Sequence, residues 1–198
     1  MSINILISVV LGILAGIFIA PEWVYAQTGL WVDIGLCLLL FFVGMDIGKS
    51  KNVLQQIKDI GYKALMVPIM VALGSIVGGA LGGMMLGFTP HEGGALGAGF
   101  GWYSLSAVML AQYSSELGAM AFVANVLREL IAIMIIPMVA KYIGYLEAVS
   151  TGGATSMDTT LPVIAKSTDS QTAIISFITG ITLTILTPFC VSFMMSFH

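Results

Sequence analysis

Asn125, Arg128 and Glu129 stand close together near the middle of residues 117–140, a stretch that is otherwise almost wholly apolar. A carboxylate in such surroundings can bind a cation, exchange a proton, or be held in a permanent ion pair that only ties helices together. Asn125 shares a helix face with Glu129 because four residues make roughly one turn, whereas Arg128 points about 100° away. The guanidinium is therefore available to another acid, Asp46 or Asp158. Asp46 closes an apolar run as Gly44-Met45-Asp46-Ile47-Gly48, where it reads equally as an end residue reaching for water and as a site carboxylate.

A second chemical cluster lies at residues 152–164. Asp158 is surrounded by Thr155, Ser156, Thr159 and Thr160, and the stretch runs into Pro162. Broken helices of this composition place carbonyls, hydroxyls and helix ends around small charged ligands in secondary transporters, although a simple polar hairpin at the interface has the same residues. A third cluster, Trp102-Tyr103-Ser104-Leu105-Ser106, follows the glycines Gly93, Gly94, Gly97, Gly99 and Gly101. Its aromatic pair suits either an interfacial belt or a cavity wall. Ser104 and Ser106 invite comparison with an intramembrane serine protease, but a serine nucleophile needs a base, and the histidines are His91 in a turn and His198 at the terminus. There is no phosphate loop, zinc-ligand spacing or paired-aspartate diphosphate motif, so neither cofactor nor metal is expected, nor an enzyme. Cys37 and Cys190 sit in apolar runs as small hydrophobes.

The elements that must position these residues follow from composition. Of 198 residues 58% are apolar and 9% charged, with mean hydropathy +1.03. Soluble domains average about 25% charged, so a soluble enzyme, a nucleic-acid-binding module and a disordered tail are excluded. A membrane span takes about 20 apolar residues, which admits about five or six spans in one domain. Spans are expected at 3–20, 28–47, 64–88, 117–140 and 171–196, with broken or re-entrant segments at 93–113 and 152–164. The segment at 93–113 is too rich in glycine and serine for a lipid-facing helix, since irregular backbone at membrane depth survives only under protein or around a water-filled cavity. The fold class is thus an all-α polytopic membrane protein with about five transmembrane helices and two broken segments.

Lys49, Lys51, Lys58 and Lys63 fall in one connection, read as an interfacial helix, and the positive-inside rule puts it in the cytoplasm. The amino terminus is then cytoplasmic. If each broken segment returns to the side it entered, the carboxyl terminus lies outside and Lys141 and Lys166 are cytoplasmic. In residues 64–88, Gly74, Gly78 and Gly82 form one row and Gly79 and Gly83 another, either able to admit a close helix.

The strings Gly99-Phe100-Gly101-Trp102-Tyr103-Ser104-Leu105-Ser106, Arg128-Glu129-Leu130-Ile131-Ala132-Ile133-Met134 and Gly153-Ala154-Thr155-Ser156-Met157-Asp158 resemble, in order, the LysO-type lysine exporters of bacteria and archaea. The resemblance covers the whole chain but the carboxyl-terminal two thirds of a full-length member. It implies export of L-lysine and its thia-analogue across the cytoplasmic membrane, with Glu129 as the intramembrane carboxylate; a second acidic residue used in the family lies in the front third, so its role does not pass to Asp46. It also implies either a homodimer or a small membrane partner that supplies the front third. Charge agrees with this. Lysine carries two ammonium groups and one carboxylate, and Glu129, Asp158, Asn125 and the neighbouring hydroxyls offer partners for both signs. With no nucleotide site, the energy would come from proton or other cation antiport.

Overall fold

The computed structural model describes Gly61, residues 63–197 and scattered helical residues between Ile7 and Met45. The expected spans at 3–20 and 28–47, the connection carrying Lys49, Lys51 and Lys58, and Asp46 therefore lie wholly or largely outside the described residues. Among the described residues all regular structure is helical: α1 (Lys63–Met85), α2 (Pro90–Gly97), α3 (Tyr103–Ala111), α4 (Ser115–Tyr142), α5 (Tyr145–Gly152), a 3-10 turn (Gly153–Met157), α6 (Leu161–Ser167) and α7 (Ser170–Met195). Three of them, α1, α4 and α7, are long and apolar enough to cross a membrane. The chain is an all-α membrane protein.

Local chemistry explains where the short helices start. Thr89 caps α2 with a full capping box: its side chain accepts from Glu92 N–H, and Glu92 Oε2 accepts from Thr89 N–H at 2.8 Å. Ser114 caps α4 and Asp169 caps α7 in the same manner, each through a side-chain oxygen on a first-turn N–H. Pro162 sits in the first turn of α6, where its missing N–H costs nothing.

Contacts fix the helix directions. Gly93 of α2 lies against Gly79 and Gly83 of α1, and Gly97 lies against Ser75, so α2 runs from the end of α1 back to its middle. From there α3 turns along the first half of α4: Phe100 and Gly101 meet Arg128 and Asn125, Ser106 meets Asn125, and Ala107 and Ala111 lie against Gly118. α4 is antiparallel to α1, since Met120 shares a groove with Gly82 and Leu86 while Ile131 and Ile135 share one with Met70 and Val71. α2 therefore starts, and α3 ends, at the same side of the molecule. α5 then climbs from the far side until Gly152 reaches Arg128, and α6 returns with Ile164 in a buried cluster with Ala132, Ile136, Ala148 and Val149. α7 crosses the whole assembly, from Ile174 and Ile175 beside Leu146 to Met194 beside Gly94.

The same succession thus occurs twice: a long helix, then two short helices joined by a bend. Because α4 opposes α1, the second unit (α4–α5–α6) is inverted relative to the first (α1–α2–α3). Inverted units with discontinuous helices meeting at mid-depth are a recurring transporter architecture.

Only one of the two glycine rows makes the close approach. A Cβ on Gly79 would lie 2.6 Å from Gly93 O, and one on Gly83 2.6 Å from Gly93 Cα, whereas one on Gly74, Gly78 or Gly82 meets nothing within 4 Å among the described residues. The opposite face of α1, with Leu65, Ile69, Leu73 and Val77, is exposed, as suits a surface that meets hydrocarbon or another helix.

Candidate functional site

The two hairpin bends touch at their tips. Ala154 N–H donates to Phe100 O at 2.8 Å, joining the bend between α2 and α3 to the start of the 3-10 turn. Two left-handed glycines make the crossing possible, Gly101 at φ 102° and Gly153 at φ 63°, while Phe100 itself is held at φ 48°. A bulky residue in that region is strained by about 1–3 kcal/mol and persists only where surrounding bonds over-determine it. Here Phe100 is fully buried and its carbonyl takes two donors.

The second donor is Arg128. Its Nη1 reaches Phe100 O at 2.6 Å and Gly152 O at 3.3 Å, the carbonyls that finish one hairpin's descent and the other's ascent. Asp46 lies outside the described residues, and among the described residues the hydrogen-bond partners of Arg128 are these two backbone carbonyls: a cation at two carbonyl-rich helix ends satisfies orphan acceptors and opposes their partial negative charge. Asn125 braces the first bend. Its Oδ1 accepts from Gly101 N–H at 2.8 Å, and its Nδ2 donates to Ala121 O at 2.9 Å and to Ser106 Oγ at 3.3 Å, while Ser106 donates to Trp102 O at 2.8 Å. Ser156 braces the second: Ser156 Oγ donates to Ser176 O at 2.9 Å and Ser176 Oγ to Ser156 O at 2.7 Å, which fastens the 3-10 turn to α7. All three of Asn125, Ser106 and Ser156 are buried and occupied by these bonds.

The crossing leaves a cavity of about 240 Å³ on one side, lined by Gly101, Trp102, Tyr103, Ser104, Glu129, Ala154, Thr155, Met157, Asp158, Thr159 and Thr184. Six of the residues singled out from sequence, Trp102, Tyr103, Ser104, Glu129, Thr155 and Asp158, are therefore brought to one wall-to-wall space from three separate segments. The cavity is smaller than the about 300–1,000 Å³ of drug-sized sites and suits a single small metabolite. Its two carboxylates are neighbours. Thr159 N–H donates to Asp158 Oδ1, and the Thr159 hydroxyl lies 3.3 Å from that same oxygen, while Glu129 lines the same space. Tyr103 packs edge-on against Phe122 with ring centroids 5.5 Å apart, fixing one aromatic wall.

Asn125, Ser106, Ser156 and Arg128 lie behind this surface as supports. Met157, Thr159 and Thr184 line the cavity as well, although sequence reasoning did not place them in the site. Thr159 was legible as a neighbour of Asp158, but Thr184 comes from α7 and its hydroxyl finds Met157 Sδ at 3.8 Å only through the fold. Among the described residues no group of His, Cys, Asp and Glu is arranged to hold a metal ion. A larger groove of about 720 Å³ between α1, α4 and α5 is walled mainly by apolar residues such as Met70, Val71, Leu127 and Ile131, and among the described residues it carries no carboxylate.

Comparison with known proteins adds the family. A family model described as "Lysine exporter LysO" matches residues 6–195. The Escherichia coli protein named "Lysine exporter LysO" is 34% identical over 159 residues, covering 80% of this chain and 52% of the relative. A Haemophilus influenzae protein named "Putative lysine exporter" is 30% identical over 195 residues, covering 98% of each. The chain thus matches about half the length of the first relative and nearly all of the second. The expected correspondence to the carboxyl-terminal two thirds of a member is corrected accordingly, because against the Haemophilus relative no front third is left over. No solved structure matches. The three strings that meet at the hairpin crossing fall within the matched residues, and the chain belongs to the LysO lysine exporter family.

Proposed function

We propose that this protein is a secondary transporter that exports L-lysine, and its thia-analogue, across the cytoplasmic membrane, with the cavity between the hairpin tips as its substrate site. The observation that carries this reading is the meeting of Glu129 and Asp158 in one small cavity beside Trp102 and Tyr103. Carboxylates bind ammonium groups through charge-assisted hydrogen bonds, and aromatic faces attract the same cations. Burying carboxylates at membrane depth costs at least about 2.5 kcal/mol each on insertion scales, which marks them as functional when they face a cavity. Ser104, Thr155 and Thr184 supply hydroxyls for the rest of the ligand.

The energy source in this reading is antiport: a proton or another cation occupies the carboxylates on the return step, so substrate and counter-ion alternate at one place. Lys63 at the start of α1 belongs to the basic connection, which sets that end in the cytoplasm by the positive-inside rule. The hairpin α2–α3 then enters from outside, and α5–α6 from the cytoplasm, so the cavity lies between two inward-pointing tips of opposite origin.

The deciding experiment is counterflow of labelled lysine in proteoliposomes containing this chain alone. Exchange of labelled for unlabelled lysine that is lost in Glu129→Gln supports a carrier. A protein that assembles but exchanges nothing, with or without a membrane partner, is an accessory subunit, and a flux insensitive to internal lysine is a channel.

A further inference from the structure

The cavity is asymmetric in what it can read. Among the described residues it is lined by two carboxylates, two aromatic rings and the hydroxyls of Tyr103, Ser104, Thr155, Thr159 and Thr184, and by no Lys, Arg or His. The nearby cation, Arg128, is behind the wall with Nη1 committed to Phe100 O and Gly152 O. An ammonium group therefore has strong partners: Glu129, Asp158 and the ring of Trp102. A carboxylate has only neutral hydroxyls, and it must sit near two like charges.

Charge balance points the same way. Two ionised carboxylates facing an amino acid with two ammonium groups and one carboxylate leave the loaded cavity with one uncompensated negative charge. Facing a ligand with two ammonium groups and no carboxylate, they are fully matched, and in a small, poorly hydrated space a matched set of charges is favoured over an unmatched one. Ala154 and Met157 also line the cavity and offer apolar surface for a methylene chain.

We propose that this cavity is a diammonium site, selecting an unbranched aliphatic chain with an ammonium group at each end, so that the α,ω-diamine lacking the α-carboxylate is bound as well as the amino acid. The inference rests on the proposed function for the location of the site and extends it to a second substrate class.

The test is calorimetric titration of the full purified chain in lipid nanodiscs with 1,5-diaminopentane, L-lysine and L-norleucine, the last having the side-chain carbons of lysine without the terminal ammonium. The expected result is diamine binding within about tenfold of lysine, no detectable norleucine binding, and at least tenfold weaker diamine binding in Asp158→Asn. Lysine binding without diamine binding overturns the inference and leaves the lysine reading intact. Diamine binding without lysine binding supports the inference and overturns the lysine reading, and binding of neither overturns both. Norleucine binding as tight as lysine also overturns it, since the second ammonium would then count for nothing. The ligand series is run on the unaltered chain, so it decides the matter even if a variant fails to fold.

Discussion

Arg128 Nη1 donates to Phe100 O at 2.6 Å and reaches Gly152 O at 3.3 Å, so a single half-buried guanidinium stands where the two hairpins cross. Neither carbonyl depends on it alone: Phe100 O keeps Ala154 N–H, and Gly152 O keeps the Thr155 hydroxyl at 2.8 Å. Arg128→Ala should therefore insert and retain its helices but lose about 1.5–3 kcal/mol, the usual worth of a hydrogen bond to a charged group. Amide hydrogen exchange should rise at residues 99–103 and 152–156 together. Arg128→Lys should recover part of the loss, because it keeps the charge without the planar fork. Protection that changes at one bend alone would show that the two tips are not coupled through this side chain.

Gly153→Ala tests the same clamp from the other side. A Cβ at Gly153 would run into both Nη atoms of Arg128 and into Phe100 O, on a backbone whose φ of 63° also disfavours a side chain. The expected outcome is the exchange pattern of Arg128→Ala at equal or greater severity. A thermal midpoint unchanged from the unaltered chain would contradict the crossing geometry.

Glu129 and Asp158 line the same cavity, and each carboxylate is expected to be needed for transport. Glu129→Gln and Asp158→Asn keep shape while removing charge, and each should lower lysine efflux from proteoliposomes at least about tenfold, equivalent to about 1.4 kcal/mol, at matched protein levels. Thr159→Val should lie between them and the unaltered chain, since it removes the hydroxyl beside Asp158 but keeps the N–H donated to Asp158. If efflux in Glu129→Gln equals that of the parent, Glu129 is structural.

The two glycine rows of α1 offer an internal control. Gly79→Ala places a Cβ 2.6 Å from Gly93 O, and backbone cannot yield as a flexible side chain would, so the α1–α2 contact should open and the folded fraction fall. Gly78→Ala meets nothing within 4 Å among the described residues and should be neutral or, through better helix propensity, stabilising by up to about 1 kcal/mol. Equal behaviour of the two variants in a detergent melting assay would refute the assigned face.

Sidedness is tested by cysteine labelling after both native cysteines are replaced. Leu86→Cys, at the end of α1, and Tyr142→Cys, at the end of α4, lie at opposite ends of antiparallel helices, and both positions are exposed. Impermeant reagent from outside should modify the first and spare the second. Modification of both from one side would remove the alternating helix directions.

Much of this protein is dictated by one-dimensional facts. Scarcity of charge requires a lipid-facing chain, apolar runs longer than a bilayer is thick require spanning helices, and glycine crowding at 93–101 with hydroxyls at 155–160 marks backbone that no lipid-exposed helix would tolerate. Glu129 and Asp158 stood out because ionisable groups in such runs are costly. What the tertiary structure decided is how distant segments share space. Periodicity showed two glycine rows on α1, but only the partner α2 selects Gly79 and Gly83, because close approach is a property of two surfaces. Arg128 was separated from Glu129 by helix geometry, yet its partners are carbonyls from two other segments, and carbonyls carry no sequence signature. Asn125, Ser106 and Ser156 have the residue types of a binding site but are spent on bracing the bends, while Thr184 enters the cavity from α7. A polar side chain in a membrane protein must be satisfied somewhere, and whether by backbone or by ligand depends on which hairpin tip the fold brings against it.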